Sequence, residues 1–178
     1  MVEQEDSDLV RQCLAGNRAG FDVLVKKYLK PIYNLAFRMV NDGESAADIA
    51  QTTFIKAYEN LQTFNLNLRF FSWLYRIAIN ESLNALGKRR QTDELSDEIA
   101  SNDATPDEVY HQTERKEIVQ RALQKLKPDY RSVIILRHFM DLTYEQMSAT
   151  LGIPEKKVKS RLFSARHQLR GLLANKGL

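Results

Sequence analysis

Cationic and hydroxyl side chains near the carboxy terminus have a spacing suited to contacts with nucleic acid. Apolar residues there recur at steps of four, three, four and three, which predicts one buried stripe along a helix: Val158, Leu162, Ala165, Leu169 and Leu172. The opposite face, flanked by Arg161 and Arg166, then presents Lys156, Lys159, Ser160, Phe163, Ser164 and His167. Lysine and arginine donate hydrogen bonds to guanine or phosphate, and serine can contact either kind of base edge. We therefore expect this helix to lie in the major groove of duplex DNA.

A short helix and a glycine turn precede this basic helix. Thr143 and Gln146 predict a capping box, Gly152 predicts a helix end, and Pro154 predicts the start of the longer helix. A helix, a turn and a second helix in this order indicate a helix-turn-helix. The alternative is a basic, solvent-facing helix of a bundle. A solubilising face usually mixes charges, however, whereas residues 156–178 contain no acidic residue.

Aromatic residues are concentrated in a second segment. Seven of the sixteen aromatic residues of the chain lie within residues 54–75: Phe54, Tyr58, Phe64, Phe70, Phe71, Trp73 and Tyr75. They alternate with Lys56, Arg69, Arg76 and the run 88–90, a combination that favours stacking of unpaired bases beside a phosphate track. The alternative is that the rings form a core. We expect this for Phe54, Tyr58 and Phe70, and expect Phe64 and Phe71, which border the polar loop 65–67, to be functional.

The sequence lacks the patterns of catalytic and metal sites. Cys13 is the single cysteine, and the three histidines, His111, His138 and His167, are scattered. We find no Ser/His/Asp or Cys/His arrangement, no phosphate-binding loop and no paired-carboxylate site. We therefore expect a protein that is not an enzyme and that needs no cofactor and no metal.

The distribution of charge divides the chain. The net charge of +3 hides values of −7 for residues 91–113 and +6 for residues 154–178. An acidic run with few large apolar residues predicts a solvated linker, and a basic end predicts a surface that faces phosphate. No apolar run approaches the roughly 20 residues that span a bilayer, and the amino terminus is acidic, so we expect no membrane insertion and a cytoplasmic location.

The elements that must position these residues are predicted to be helices. The chain has only seven glycines and four prolines, the residues that most often interrupt helices, and its apolar residues recur at spacings of three and four. We expect an all-α fold of two small domains, residues 1–90 and 105–178, joined by a flexible acidic linker at 91–104. The first predicted helix ends near Gly16. The others cover about residues 18–40, 44–62, 70–88, 105–126, 129–139, 144–151 and 154 onward.

Three segments resemble conserved regions 2 and 4 of bacterial extracytoplasmic-function (ECF) sigma factors of the sigma-70 type. They are DIAQTTFIKAYENLQTF (48–64), FFSWLYRIAIN (70–80) and LTYEQMSATLGIPEKKVKSRLFSAR (142–166). The resemblance covers about residues 8–173 and leaves only the linker unmatched. The strings D-x-x-Q-x-x-F and W-L-x-R-I-A-x-N together are specific, whereas a helix-turn-helix alone occurs in many regulators.

The resemblance implies partners and site residues. The first domain would bind the β′ clamp helices of core RNA polymerase and the non-template strand of the −10 element, and the second would bind the β flap and the −35 duplex. The implied polymerase contacts are Arg38, Asp48, Gln51 and Phe54. The implied −10 contacts are Lys56, Phe64, Asn67, Trp73, Arg76, Asn80 and Asn84, with the loop 64–69 holding a flipped base. The implied −35 contacts are Arg137, Lys156, Lys159, Ser160, Arg161, Phe163 and Ser164. An anti-sigma factor, often membrane-anchored in this family, is also implied.

Three positions depart from the family pattern. Thr52 stands where many members carry an acid, the loop 65–68 lacks the usual glycine, and Ser164 replaces an arginine of some members. The promoter sequence therefore cannot be copied from a relative. The linker charge suggests mimicry of a phosphate backbone. Two other functions are alternatives to that of a sigma factor. A stand-alone helix-turn-helix regulator would need no aromatic segment, and an adaptor would leave both cationic surfaces unused.

Overall fold

The computed structural model describes residues 2–93 and 110–174, and every element in these two ranges is helical, as predicted. The first range contains α1 (Val2–Leu14), α2 (Ala19–Val40), α3 (Gly43–Glu59), a short 3₁₀ turn (Leu61–Thr63) and α4 (Phe70–Asp93). The second contains α5 (Tyr110–Gln124), α6 (Pro128–His138), α7 (Tyr144–Leu151) and α8 (Glu155–Ala174). We refer to these ranges as the first and the second domain.

The first domain is built around one apolar stripe of α2. Leu24, Ile32, Leu35 and Met39 are fully buried, and Tyr28 is nearly so, against α3 and α4. Pro31 lies within α2 and does not interrupt it. The helix ends at Asn41, which has a left-handed φ of 57°. Burial of each such aliphatic side chain contributes roughly 1.5–3 kcal/mol, so this stripe supplies much of the stability of the domain.

Helix α1 lies unusually close to α2. A Cβ added at Gly20 would lie 2.8 Å from the backbone oxygen of Leu9, so only glycine allows this approach. Asp6 is buried on the same face, where Lys27 pairs with one of its oxygens and the hydroxyl of Tyr28 donates to the other. Apolar periodicity did not identify Asp6 as a buried residue. Its burial depends on partners that lie 21 and 22 residues further along the chain, and a local pattern does not show them.

The second domain contains the predicted helix-turn-helix. Thr143 and Gln146 form both hydrogen bonds of the capping box, and Gly152 ends α7 with a φ of +66°. On α8, Val158, Leu162 and Ala165 are buried and Leu169 and Leu172 are partly buried, which confirms the predicted stripe. α6 lies beneath both helices, and its segment 133–136 is buried.

The predicted linker overlaps the end of α4. This helix continues to Asp93, so residues 91–93 of the predicted linker are helical. The remaining linker residues and the capping box predicted at 105–108 lie outside the described residues. Among the described helices, none is long and apolar enough to cross a membrane.

Replacing Gly20 by alanine tests the close approach of α1 and α2. We expect Gly20→Ala to lower the free energy of unfolding by about 1–3 kcal/mol, because the new methyl group would collide with backbone that must then move. Gly87→Ala is the matched control, since a Cβ there meets nothing within 4 Å and should stabilise α4 by about 0.5–1 kcal/mol. Urea unfolding followed by Trp73 fluorescence measures both. A Gly20→Ala protein as stable as the parent would contradict the packing described.

Candidate nucleic-acid interface

The outer face of α8 is exposed as the helical period predicts. Lys156, Lys159, Ser160 and Phe163 are exposed, and Ser164 is half-buried. The phenyl ring of Phe163 is 77% exposed, so it contributes little to the core. A large apolar ring among cations on an otherwise solvated face indicates a contact surface, and such a ring can pack against a thymine methyl group.

Cations beside this face differ in how firmly the second domain holds them. Arg161 pairs with Asp129 of α6 at 2.9 Å and is largely covered, and Arg137 donates to the carbonyl of Leu142 at 2.8 Å. Lys159 lies 3.3 Å from Glu155 but is half exposed, so phosphate can replace that partner. Lys159 is therefore better placed for a phosphate than Arg137 or Arg161, both of which also have a structural role.

A histidine links α6 to α8 behind the same face. Arg166 Nε donates to His138 Nε2 at 3.2 Å. Burial, with the charges of Arg166 and Arg137, lowers the pKa of His138 below its usual value. The lowered pKa favours the unprotonated ring, whose Nε2 can accept this hydrogen bond. Sequence reasoning did not foresee the contact.

The aromatic residues of the first domain form a cluster rather than an open platform. Phe64 is only 6% exposed, and its ring lies 5.1 Å from that of Trp73 and 5.7 Å from that of Phe70. Phe64 is therefore part of the core, contrary to our expectation that its ring belongs to a stacking platform. Tyr58, expected in the core, is 44% exposed and packs edge-on against Phe21, so that expectation was wrong.

The other rings are placed closer to expectation. Phe54 and Phe70 are buried, as predicted. Phe71 is half-buried and lies 6.0 Å from the ring of Tyr75. Trp73 is also half-buried, which leaves part of its ring accessible beside the polar residues of α4.

Polar residues of α4 form a row on its outer face. Arg76, Asn80 and Asn84 are spaced by four residues and are exposed, and Trp73 lies at the start of the same row. We call these four residues the α4 row. Asn67 is exposed in the preceding loop, whereas Lys56 is paired with Glu81 at 2.6 Å and is turned toward α4. The structure thus brings five of the seven predicted strand contacts to one side of the domain.

A cleft of about 160 Å³ borders the α4 row. One wall belongs to the first domain and the other to α7, and the lining residues are Asn67, Leu68, Arg69, Ser72, Trp73, Arg76, Glu145, Gln146 and Ala149. The buried hydroxyl of Ser72 has no hydrogen-bond partner there. Sequence reasoning missed the wall formed by α7, because the two walls of the cleft come from segments that are far apart along the chain.

A second concave surface lies between α2 and α3. This groove of about 660 Å³ is mainly apolar, and it is lined by Val25, Lys26, Leu29, Lys30, Tyr33, Ala47, Ala50, Gln51, Phe54 and Ile55. Leu29 and Ile55 in this groove are about half exposed, although both side chains are large and apolar. Gln51 and Phe54, both predicted polymerase contacts, lie in the groove, and Asp48 is exposed on α3 nearby.

Arg38 does not lie in this groove. Its guanidinium stacks 3.6 Å from the ring centre of Phe139 in the second domain, and burial lowers its pKa. The structure therefore separates Arg38 from the other three predicted polymerase contacts. Within the described residues, no group of acidic, histidine or cysteine side chains is arranged to hold a metal ion.

Comparison with known proteins identifies a family region in each domain. Residues 24–92 match the family model of sigma-70 region 2, and residues 116–169 match that of sigma-70 region 4. The chain is 34% identical to the RNA polymerase sigma-H factor of Pseudomonas aeruginosa, with 95% of this chain and 94% of that protein covered. It is 31% identical to the ECF RNA polymerase sigma factor SigW of Bacillus subtilis, with 90% and 92% covered.

A solved structure has a similar fold over both domains. It is the sigma factor RpoE of Bartonella quintana in complex with the anti-sigma factor NepR, with a TM-score of 0.72 and 28% identity. The similarity covers 86% of this chain and 96% of that one. The two family regions, the full-length relatives and the shared fold lead to one conclusion: the chain belongs to the sigma-70 family, among its ECF RNA polymerase sigma factors.

Proposed function

We propose that this sigma factor binds core RNA polymerase and directs it to promoters through two different DNA contacts. The second domain reads the −35 element as duplex, and the first holds unpaired bases of the −10 element. The observation that carries this proposal is the presence of an exposed face on α8, basic apart from Glu155 at its start, together with the exposed polar residues of the α4 row in the other domain.

The −35 contact is assigned to the outer face of α8. Lys156 and Lys159 can donate to phosphate or guanine, Ser160 can contact either kind of base edge, and Phe163 can pack on a thymine methyl group. Ser164 lies at the margin of this face. Arg161 of α8 pairs with Asp129 and holds α8 against α6, whereas Arg137 of α6 donates to the carbonyl of Leu142 in the segment before α7. Both arginines therefore contribute mainly to the structure of the domain.

The −10 contact is assigned to the α4 row with Asn67. Trp73 offers part of a ring for stacking, Arg76 offers a cation for phosphate, and Asn80 and Asn84 offer amides for base edges. Buried Phe64 supports the ring of Trp73 in this arrangement. Lys56 reaches the strand only by leaving Glu81.

Energetics explains why a polymerase is needed. Opening one base-pair step costs about 1.4 kcal/mol of stacking free energy, and binding one unpaired base contributes about 1–3 kcal/mol. The α4 row can therefore hold a few unpaired bases but cannot open a whole transcription bubble. The remaining contacts must come from the polymerase.

The polymerase contact is assigned to the groove between α2 and α3. Its exposed Leu29 and Ile55 suit an apolar ridge on a helical partner, and Gln51 and Asp48 add polar contacts at its rim. The β′ clamp helices are the partner that the family resemblance implies, with the β flap contacting the second domain. An anti-sigma factor, soluble or membrane-anchored, would complete the set of partners, as the complex of RpoE with NepR suggests.

Run-off transcription with core polymerase and a random promoter library tests the function as a whole. We expect the holoenzyme to enrich promoters that share one −35 and one −10 sequence. A protein that binds duplex promoter DNA alone but never associates with core polymerase would instead be a stand-alone regulator, and the proposal would be wrong.

Loss of the apolar side chains in the groove should weaken polymerase binding. We expect Leu29→Ser and Ile55→Ser each to cost about 1.5–3 kcal/mol of binding, or about 10-fold or more in Kd, because each removes an apolar side chain that the partner would bury. Val23→Ser is the matched control, since Val23 is 46% exposed on α2 but lies outside the groove. Fluorescence anisotropy with core polymerase measures the Kd. Equal effects at all three positions would contradict the assignment.

Removal of Lys159 should weaken duplex binding without unfolding the domain. We expect Lys159→Ala to cost about 1–3 kcal/mol of binding to −35 duplex, since the lysine would no longer neutralise or donate to the groove. Lys125→Ala, the same charge change at an exposed lysine in the turn after α5, is the control. Binding of the holoenzyme to promoter duplex at several salt concentrations measures the loss, and an unchanged Kd would rule out the proposed docking of α8.

A further inference from the structure

One aromatic ring of the second domain lies within reach of two cations from neighbouring helices. Tyr144 is the first residue of α7 and is half-buried. The guanidinium carbon of Arg137 on α6 lies 5.6 Å from the centre of its ring, and Nζ of Lys159 on α8 lies 5.3 Å from it. The face of an aromatic ring carries partial negative charge and attracts a cation within about 6 Å. The two helices of the helix-turn-helix and the helix beneath them therefore meet at this ring.

The backbone that carries the ring is held firmly. Thr143 and Gln146 exchange the two hydrogen bonds of the capping box, at 3.2 and 2.8 Å. Arg137 Nη1 donates to the carbonyl oxygen of buried Leu142 at 2.8 Å, just before the capping box. A tyrosine side chain has few rotatable bonds, so a fixed backbone leaves its ring little freedom. Tyr144 is thus a rigid group beside a flexible lysine.

Lys159 has a second contact, and DNA can replace it. Its Nζ lies 3.3 Å from a carboxylate oxygen of Glu155, and both side chains are about half exposed. Such a pair contributes little to stability because water and salt screen it. The ammonium group has three N–H donors, and the ring of Tyr144 lies on one side of it. A phosphate or a base edge that displaces Glu155 can therefore leave the contact with Tyr144 intact.

We propose that Tyr144 is a positioning residue for the −35 contact: its ring holds the ammonium group of Lys159 in place before DNA arrives. The proposal rests on the assignment of the outer face of α8 to the −35 duplex. A lysine loses much rotamer freedom when it binds, and a donor that is already ordered loses less and binds more tightly. Tyr144 carries no charge, so it acts on affinity without changing the number of phosphates that the protein neutralises.

The experiment separates the ring from the hydroxyl group and from the fold. Tyr144→Leu removes the ring, whereas Tyr144→Phe keeps the ring and removes only the hydroxyl group. Tyr130→Leu is the matched control. Tyr130 is another half-buried tyrosine of the same domain, and no cation lies over its ring within residues 5–91 and 116–174. Each substitution is also combined with Lys159→Ala.

Binding of the holoenzyme to promoter DNA is measured by fluorescence anisotropy at several salt concentrations. The probes are a promoter enriched in the run-off selection and the same promoter with its −35 sequence replaced. We expect Tyr144→Leu to weaken binding to the enriched promoter about twofold to fivefold. Its salt dependence should equal that of the parent, whereas Lys159→Ala should lower the slope by about one. Tyr144→Phe and Tyr130→Leu should bind as the parent does.

The double variants test whether the ring acts through the lysine. We expect Tyr144→Leu to have no further effect when Lys159 is already alanine, because the two groups contribute through one contact. An equal loss in both backgrounds would overturn the proposal, since a ring that only maintains the fold would weaken binding with or without the lysine.

The remaining outcomes separate this proposal from the function on which it rests. A Tyr144→Phe loss as large as that of Tyr144→Leu would assign the effect to the hydroxyl group and overturn the role of the ring. Parent-like binding by Tyr144→Leu would overturn the proposal and leave the assignment of α8 unaffected. A parent holoenzyme that binds both promoters equally would overturn the assignment of α8 to the −35 element, and with it the role of Tyr144.

Discussion

Burial of one face of a helix determines what its other face can present, and both DNA surfaces of this sigma factor depend on this constraint. On α8, the buried stripe from Val158 to Ala165 turns the lysines and Phe163 outward. On α4, burial of Leu74 and Ala78 in the first domain leaves the α4 row on the exposed side. Apolar packing and recognition are therefore two consequences of one helical period.

Charge on these surfaces is divided between recognition and structure. Lys56 and Arg161 are in partly covered ion pairs with Glu81 and Asp129, whereas the pair of Lys159 with Glu155 is exposed and Lys156 is accessible. A pair that is partly covered holds its cation more firmly than an exposed pair, which water and salt weaken. Cations of one sequence segment thus differ in their availability to phosphate, although their types and spacing look equivalent.

Helix ends provide the polar part of the contact between the domains. The carboxyl ends of α2 and α7 are not left to solvent, because Gln124, Arg131 and Arg76 donate to them across the interface. Such contacts consist of a few hydrogen bonds, each of modest net free energy once exchange with water is counted. An interface of this kind holds the domains together while remaining open to competition by a partner or by DNA.

The sequence alone determined the helical class, the helix-turn-helix and the outward face of α8, because caps and apolar periods act over a few neighbouring residues. It also identified the sigma-factor regions from three short segments. Only the tertiary structure decided that Phe64 is buried and Tyr58 exposed, that Arg38 stacks on Phe139, and that Arg76 lies under α7. Each of these depends on groups that are distant along the chain, and residue type and spacing do not encode which distant group a side chain meets.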